Sequence, residues 1–358
     1  MMWWAMVAAW AGCEPSPVVA APALGAEARS GCLWGDLDIA GRLFARSPDV
    51  GLSRGVSLPR MRAEAAVITP DASVRLAVLP ARSGGEEGYI GIAGEALVPV
   101  LQVAEARYDH RAWGLSVAAG LVDDIALMPV QLAWQRVDVA RPLLTDRGWT
   151  ERSDLGGWLG WTSPEGYVSI TAAVVSGEGA NRRERNTGLD TVGTLTVRPL
   201  GSQMLELLAW GREGSTGLLQ ARDHRAGGAA LFRHDVVVVG VEAVMGWGLG
   251  GDGALAPGGG SVWARTGDEL PAVGWLRFDQ GTDARGVAQA GETTVLAGGG
   301  PRLPMASGAP AWVGVGYEAR TMQGNATPLA GSIATSRTQT VFLQLSVHAR
   351  GAAQWEAP

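Results

Sequence analysis

The stretch from Asp154 to Pro199 decides how the chain is read. It runs Asp154-Leu155-Gly156-Gly157-Trp158-Leu159-Gly160-Trp161-Thr162, then Ser163-Pro164-Glu165-Gly166, then Tyr167-Val168-Ser169-Ile170-Thr171-Ala172-Ala173-Val174-Val175. A polar segment from Ser176 to Gly188 follows, and a further alternating run takes Leu189 to Pro199. Period-two alternation is the mark of a strand with two unlike faces. Ser163 to Gly166 is turn chemistry, because Pro presets φ and Gly accepts φ > 0. The order is therefore strand, tight turn, strand, long charged loop, strand. Short turns at one end and long loops at the other are the habit of transmembrane β-barrels.

The same pattern extends in both directions. Leu37, Ile39, Gly41 and Leu43 alternate with Asp36, Asp38, Ala40 and Arg42; Met61, Ala63, Ala65 and Val67 alternate with Arg60, Arg62 and Glu64. Val236 to Trp247 sets Glu242 against Val237, Val239, Val241 and Ala243. In the closing strand Val341, Leu343, Leu345 and Val347 face one way, and Gln344, Ser346, His348 and Arg350 the other. The longest interruption, Asp123 to Ser153, holds in Val130–Val137 either a short helix or an irregular packed segment; Arg212 to Arg233 reads as a loop and one strand. The expected fold is all-β: an antiparallel transmembrane barrel of about 16 strands, with short periplasmic turns and longer extracellular loops. A propeller would need a blade-length repeat, and none is present.

Composition agrees with a barrel. Charged residues are 18% of the 358, below the roughly 25% of soluble domains. Hydrophobic content of 47% comes without a run of about 18 apolar residues beyond the N-terminus, so helical spans are not indicated. The net charge of -6 argues against nucleic acid as a partner. Every one of the 29 basic residues counted as Lys or Arg is Arg. Residues 1–23 read as an export signal without the usual positive start, 24–33 as a linker, 34–350 as barrel and 351–358 as a tail. Trp10-Ala11-Gly12-Cys13 has the outline of a lipidation site, and loss of Cys13 with the signal would leave Cys32 alone. The expected location is the bacterial outer membrane, with lipid and lipopolysaccharide as neighbours.

The chain resembles the phosphate-selective porin O and P family in four places: Leu58–Glu64 through Pro70-Asp71; Gly177–Asn181 with Gly188–Gly193 and Val197–Leu200; Gly240-Val241-Glu242; and Trp275–Asp279. The resemblance implies a 16-stranded outer-membrane barrel, a homotrimer, and a third extracellular loop at Asp123–Ser153 folded into the lumen. Departing from the family's phosphate-specific members, the chain has no Lys.

A channel selects by size and by charged side chains at its narrowest ring. The inward phase offers Arg60, Arg62, Glu64, Arg75, Arg107, Arg198, Glu242 and Arg277 as pore-lining candidates. Asp123, Asp124, Arg136 and Asp138 are the constriction-loop candidates, the acids with a weaker reading as oxygen ligands for a cation. For any one of these residues, the plainer reading is the wet face of a barrel wall. Trp34, Trp113, Trp210, Trp247 and Trp312 suit an interfacial girdle. Arg182-Arg183-Glu184-Arg185 reads as a solvated loop tip or a lipopolysaccharide phosphate contact. Four scattered His without metal-ligand spacing, and no Gly-x-Ser-x-Gly, leave no enzyme signature. The expected function is passive diffusion of small hydrophilic solutes, anionic ones as the finer expectation, with no cofactor. A non-conducting structural or adhesive barrel with a plugged lumen is the alternative, and an outer-membrane enzyme the third.

Overall fold

The computed structural model describes residues 30–47, 53–82, 97–177, 179, 188–200, 204–216, 221–248, 255–282, 291–304, 311–323 and 336–356. The export segment, Cys13, and the Arg182–Arg185 loop tip lie outside them. The strands are β1 (Ser30–Ser47), β2 (Ser53–Ile68), β3 (Ala72–Arg82), β4 (Leu97–His110) and β5 (Leu115–Asp123). After two short helices, α1 (Met128–Trp134) and α2 (Leu143–Asp146), come β6 (Ser153–Thr162), β7 (Val168–Val175), β8 (Asp190–Val197) and β9 (Leu205–Thr216). They are followed by β10 (Ala221–Arg233), β11 (Val237–Trp247), β12 (Gly258–Thr266) and β13 (Ala272–Thr282). The last three are β14 (Gly291–Leu303), β15 (Ala311–Gln323) and β16 (Ser336–Glu356).

Each strand pairs antiparallel with its sequence neighbours, and β1 pairs with β16 to close the barrel. Closure satisfies every ladder edge, which lipid cannot do. The seam runs from Ser30 opposite Glu356 to Ser47 opposite Gln339. This pairing corrects the expected bounds: β1 begins inside the presumed linker, and β16 continues through residues 351–356, which were expected to be a tail. The segment read as a loop and one strand, Arg212–Arg233, holds that strand as β10, and β9 runs on into it as far as Thr216; the two pair from Ala221 opposite Thr216 to Phe232 opposite Leu205. Its charges, Arg212, Asp223 and Arg225, face inward, while Ala226, Gly228 and Ala230 on the outward face leave the strand limits weakly marked. Cys32 is buried at the start of β1.

Turn chemistry is as the residues demand. Gly166 takes φ 74° and donates its N–H to Ser163 O at 2.8 Å, while Ser163 donates to Val168 O at 2.8 Å. Outward positions are apolar and exposed, as with Leu43, Leu159, Ile170, Val241, Leu276 and Val315. Inward positions alternate with them and are mostly buried, most regularly in β7, β8, β11 and β13. An apolar belt around a closed barrel is the lipid face.

The Gly and Trp content has a common cause inside the barrel. Trp263 lies across Gly240, Trp275 across Gly298, Trp210 across Gly227 and Phe342 across Gly316, and each is a directly opposed cross-strand pair. A flat ring covers the bare backbone of its partner, the arrangement called aromatic rescue. A Cβ at Gly240 would stand 2.2 Å from a ring carbon of Trp263. Gly240→Val is therefore expected to cost about 1–3 kcal/mol through overpacking. A lowered urea midpoint of the detergent-refolded barrel checks this, with Ala230→Val on the outer face as the control.

The girdle expectation holds in part. Trp113 and Trp247 are exposed on the outside, but Trp34 and Trp312 are buried and Trp210 packs against the interior core clusters. The residues of an interior core and of an interfacial belt are the same types, and only strand phase separates them.

Candidate functional site

The lumen is shaped by the segment between β5 and β6, residues 124–152, which folds inward. Pro129 sits in the first turn of α1, where its missing N–H costs nothing. The helix stops at Gln135, which takes φ 50° and donates its N–H to Gln131 O. Trp134 then turns into the barrel, fully buried, with Nε1 donating to Ala140 O at 2.8 Å. Val130, Ala133, Trp134 and Val139 pack on inward side chains of β9–β16, among them Leu231, Trp263, Trp275 and Phe342. Trp134 meets Trp263 edge-on at 5.3 Å between centroids. One side of the lumen is thus an apolar core shared by loop and wall.

Charged groups hold the loop to the barrel. At its start, Asp123 receives Arg75 at 2.6 Å, with Arg152 at 3.7 Å. Asp124 accepts the N–H of Ala126 and the hydroxyl of Thr150, both at 2.8 Å, so it pins both ends of the loop together. Arg212 lies 2.6 Å from Asp190, 3.5 Å from Asp124 and 3.8 Å from Asp154. Farther in, Arg42 donates to Asp138 O and Val139 O at 3.2 and 3.0 Å, and to Gln344 Oε1. Gln344 in turn donates to Asp138 Oδ2 at 3.2 Å. Arg265 donates to Ala133 O at 2.7 Å and Arg277 to Arg141 O at 2.8 Å. Arg147 pairs with Glu292, and Arg320 joins Asp146 to Glu292.

The sequence candidates are distributed over this arrangement unevenly. Arg62, Glu64, Arg75 and Asp123 come together: Arg62–Glu64 is 2.7 Å, Arg75–Glu64 3.6 Å, and Arg75 also reaches Glu105 at 3.8 Å. Arg277 is clamped by Asp279 and lies over the Trp134 ring, and Glu242 accepts the N–H of Leu143 at 3.4 Å. These two hold the loop and are buried beneath it. Arg107 pairs with Asp109 at 2.7 Å; Arg198 pairs with Glu206 and donates to Gly166 O, tying down a turn. Arg107 and Arg198 are thus held close to the short turns, apart from the inner loop. Arg136 follows α1 and is half-buried, whereas Asp138 is buried against Gln344. The side chain of Arg60 lies outside the described residues.

Residues the sequence reading passed over include Arg42, Arg212, Asp190 and Gln344. Their inward phase was available for β1 and β16, but their convergence on the loop was not. Among the described residues no group of three or more His, Cys, Asp or Glu is placed to hold a metal.

Water reaches the charged wall at the closing seam. The side chains of Asp36, Asp38 and Arg62 are each 14% exposed and that of His348 24%, whereas those of Arg277 and Asp123 are 1% exposed.

No family model matches the chain, and no curated protein matches it. Solved structures do. The anion-selective porin from Comamonas acidovorans aligns with a TM-score of 0.60 at 8% identity, covering 88% of this chain and 99% of that one. The outer membrane channel DcaP of Acinetobacter baumannii gives 0.57 at 11% identity, over 91% and 99%. The trimer form of OmpT, an outer membrane protein of Vibrio cholerae, gives 0.54 at 9%, over 89% and 100%. At such identities the likeness is one of fold: a porin-type barrel. Together with the apolar belt, that fold belongs to the bacterial outer membrane.

Proposed function

We propose that the chain is a narrow outer-membrane channel through which small hydrophilic solutes diffuse, with no bound cofactor. The observation that carries this reading is water-accessible charge on the inward wall, at the seam and at Glu318 and Arg320 of β15, beside an inner loop packed on the remaining wall. Charged groups on the wall favour polar solutes, and the inner loop sets the size limit. Anionic solutes are the finer assignment, supported by the Arg on the inward wall and by the description of one structural neighbour as anion-selective. A homotrimer is the proposed assembly, supported by the trimer form of another neighbour. Membrane lipid and lipopolysaccharide are the proposed surroundings of the outer belt.

The second reading is a plugged, non-conducting barrel, and the apolar packing of α1 against Trp263, Trp275 and Phe342 favours it. Single-channel current across a planar bilayer separates the two. Stable small conductance steps are expected from refolded, inserted protein; silence from such protein would promote the plugged barrel.

A further inference from the structure

The lipid face of β8 to β11 changes character at one level. Thr191, Glu213, His224 and Trp247 are directly opposed in turn across the four strands, so they form a single outward row. The Glu213 side chain is 70% exposed and that of His224 27%, with His224 Nδ1 3.5 Å from the carboxylate. Arg222, one outward position farther along β10, is exposed as well. Its inward neighbours Asp223 and Arg225 pair with one another on the lumen side. Below the row the outward positions are small and uncharged: Gly193, Gly211 and Ala226 make the next level, and Ala209, Gly228 and Ala243 the one after. Leu195, Leu207 and Met245 stand around this furrow as exposed larger side chains.

Strand length fixes the depth of the row. β11 spans 11 residues from Val237 to Trp247. At a rise of about 3.3 Å per residue and a tilt of about 40°, its ends lie about 25 Å apart along the barrel axis. That is the height of the apolar band of an outer-membrane barrel. The row that ends in Trp247 therefore stands at the edge of the band, on the side where the inner loop enters. Trp247, 48% exposed, is the aromatic that such an edge favours. Residues 180–187, 217–220 and 249–254, which adjoin the row on the loop side, lie outside the described residues.

We propose that the row and the furrow beneath it bind one lipid with a phosphoethanolamine headgroup, its phosphate on Arg222 and its ammonium on Glu213. Glu213 faces His224, and Arg222 lies two residues before His224, so the two charges are diagonal neighbours on adjacent strands. Diagonal neighbours stand about 7–8 Å apart, and both side chains are long enough to bracket a phosphate and an ammonium joined by two carbons. Arg suits the phosphate because its paired N–H donors match two phosphate oxygens. An anionic headgroup without an amine leaves the Glu213 charge unanswered, and a quaternary amine offers it no N–H donor. The acyl chain lies in the furrow, where nothing stands within 4 Å of a Cβ built on Gly193 or Gly211. The site belongs to the lipid face and is independent of whether the barrel conducts.

The test is native mass spectrometry of the refolded barrel in detergent holding equal amounts of phosphatidylethanolamine, phosphatidylcholine and phosphatidylglycerol with the same acyl chains. The unaltered protein is expected to retain one phosphatidylethanolamine, severalfold in excess of the other two. Arg222→Gln and Glu213→Gln should each reduce that retention severalfold. Gly211→Leu should do the same by filling the furrow while both charges remain. An unchanged urea midpoint for each variant verifies the barrel. Preferential retention of phosphatidylglycerol that needs Arg222 but not Glu213 overturns the zwitterionic headgroup. Equal retention of all three lipids, or a preference that survives all three substitutions, overturns the site and leaves the channel reading standing.

Discussion

Replacing residues 125–150 by a short Gly/Ser linker is expected to raise single-channel current severalfold. The pairing of β5 with β6 ends at Asp123 opposite Ser153, so a few residues close that hairpin without disturbing the ladder. The barrel wall closes entirely through strand pairing, in which the loop takes no part. What disappears is the material that fills the lumen: α1, α2 and the backbone carbonyls gripped by Arg42, Arg265 and Arg277. Trp134→Ala is the graded version. Removing a fully buried Trp is expected to cost about 3–5 kcal/mol of loop packing, and the current should flicker between the native level and larger ones. An unchanged, quiet current from both variants, with barrel folding verified, would show that the loop does not limit the path.

The second large effect is expected at Arg212. Its guanidinium is shared by Asp124, Asp154 and Asp190, whose side chains are 7%, 7% and 5% exposed. It also donates to Gly177 O and Thr150 Oγ1. Arg212→Ala leaves three carboxylates crowded together with little water, and breaking a buried pair in this way costs about 3–5 kcal/mol. A lower urea midpoint in detergent is the readout. Arg212→Lys should recover only part of the loss, because an ammonium lacks the planar fork that serves several oxygens at once. Adding Asp190→Asn to Arg212→Ala should restore stability by removing one of the stranded charges. If the single variant unfolds at the native midpoint, the cluster carries no net energy.

Much of the wall was legible from residue order. Each strand's phase is set by whether odd or even positions are apolar, and lipid enforces that choice strongly on the outside. The inward assignment of Arg62, Glu64, Arg75 and Glu242 follows from it, and the structure places all four inside. Phase fails where both faces are mixed. Between Arg212 and Arg233, Gly and Ala occupy outward positions such as Ala226, Gly228 and Ala230, and the alternation fades. The role of each inward charge is a different matter. Arg198 and Arg277 have the same phase as Arg62, yet one ties a turn and the other grips the loop, since their partners come from distant parts of the chain.

The sequence by itself determined the class of fold, its strand number and its lipid face, because these depend on local alternation and on turn residues between neighbouring strands. Tertiary structure alone decided what fills the barrel. The indoles of Trp134, Trp263 and Trp275 meet only after the sheet has closed and the loop has turned inward. The seam patch of Asp36, Asp38 and His348 joins residues from opposite ends of the chain, and barrel closure is the physical event that brings them together.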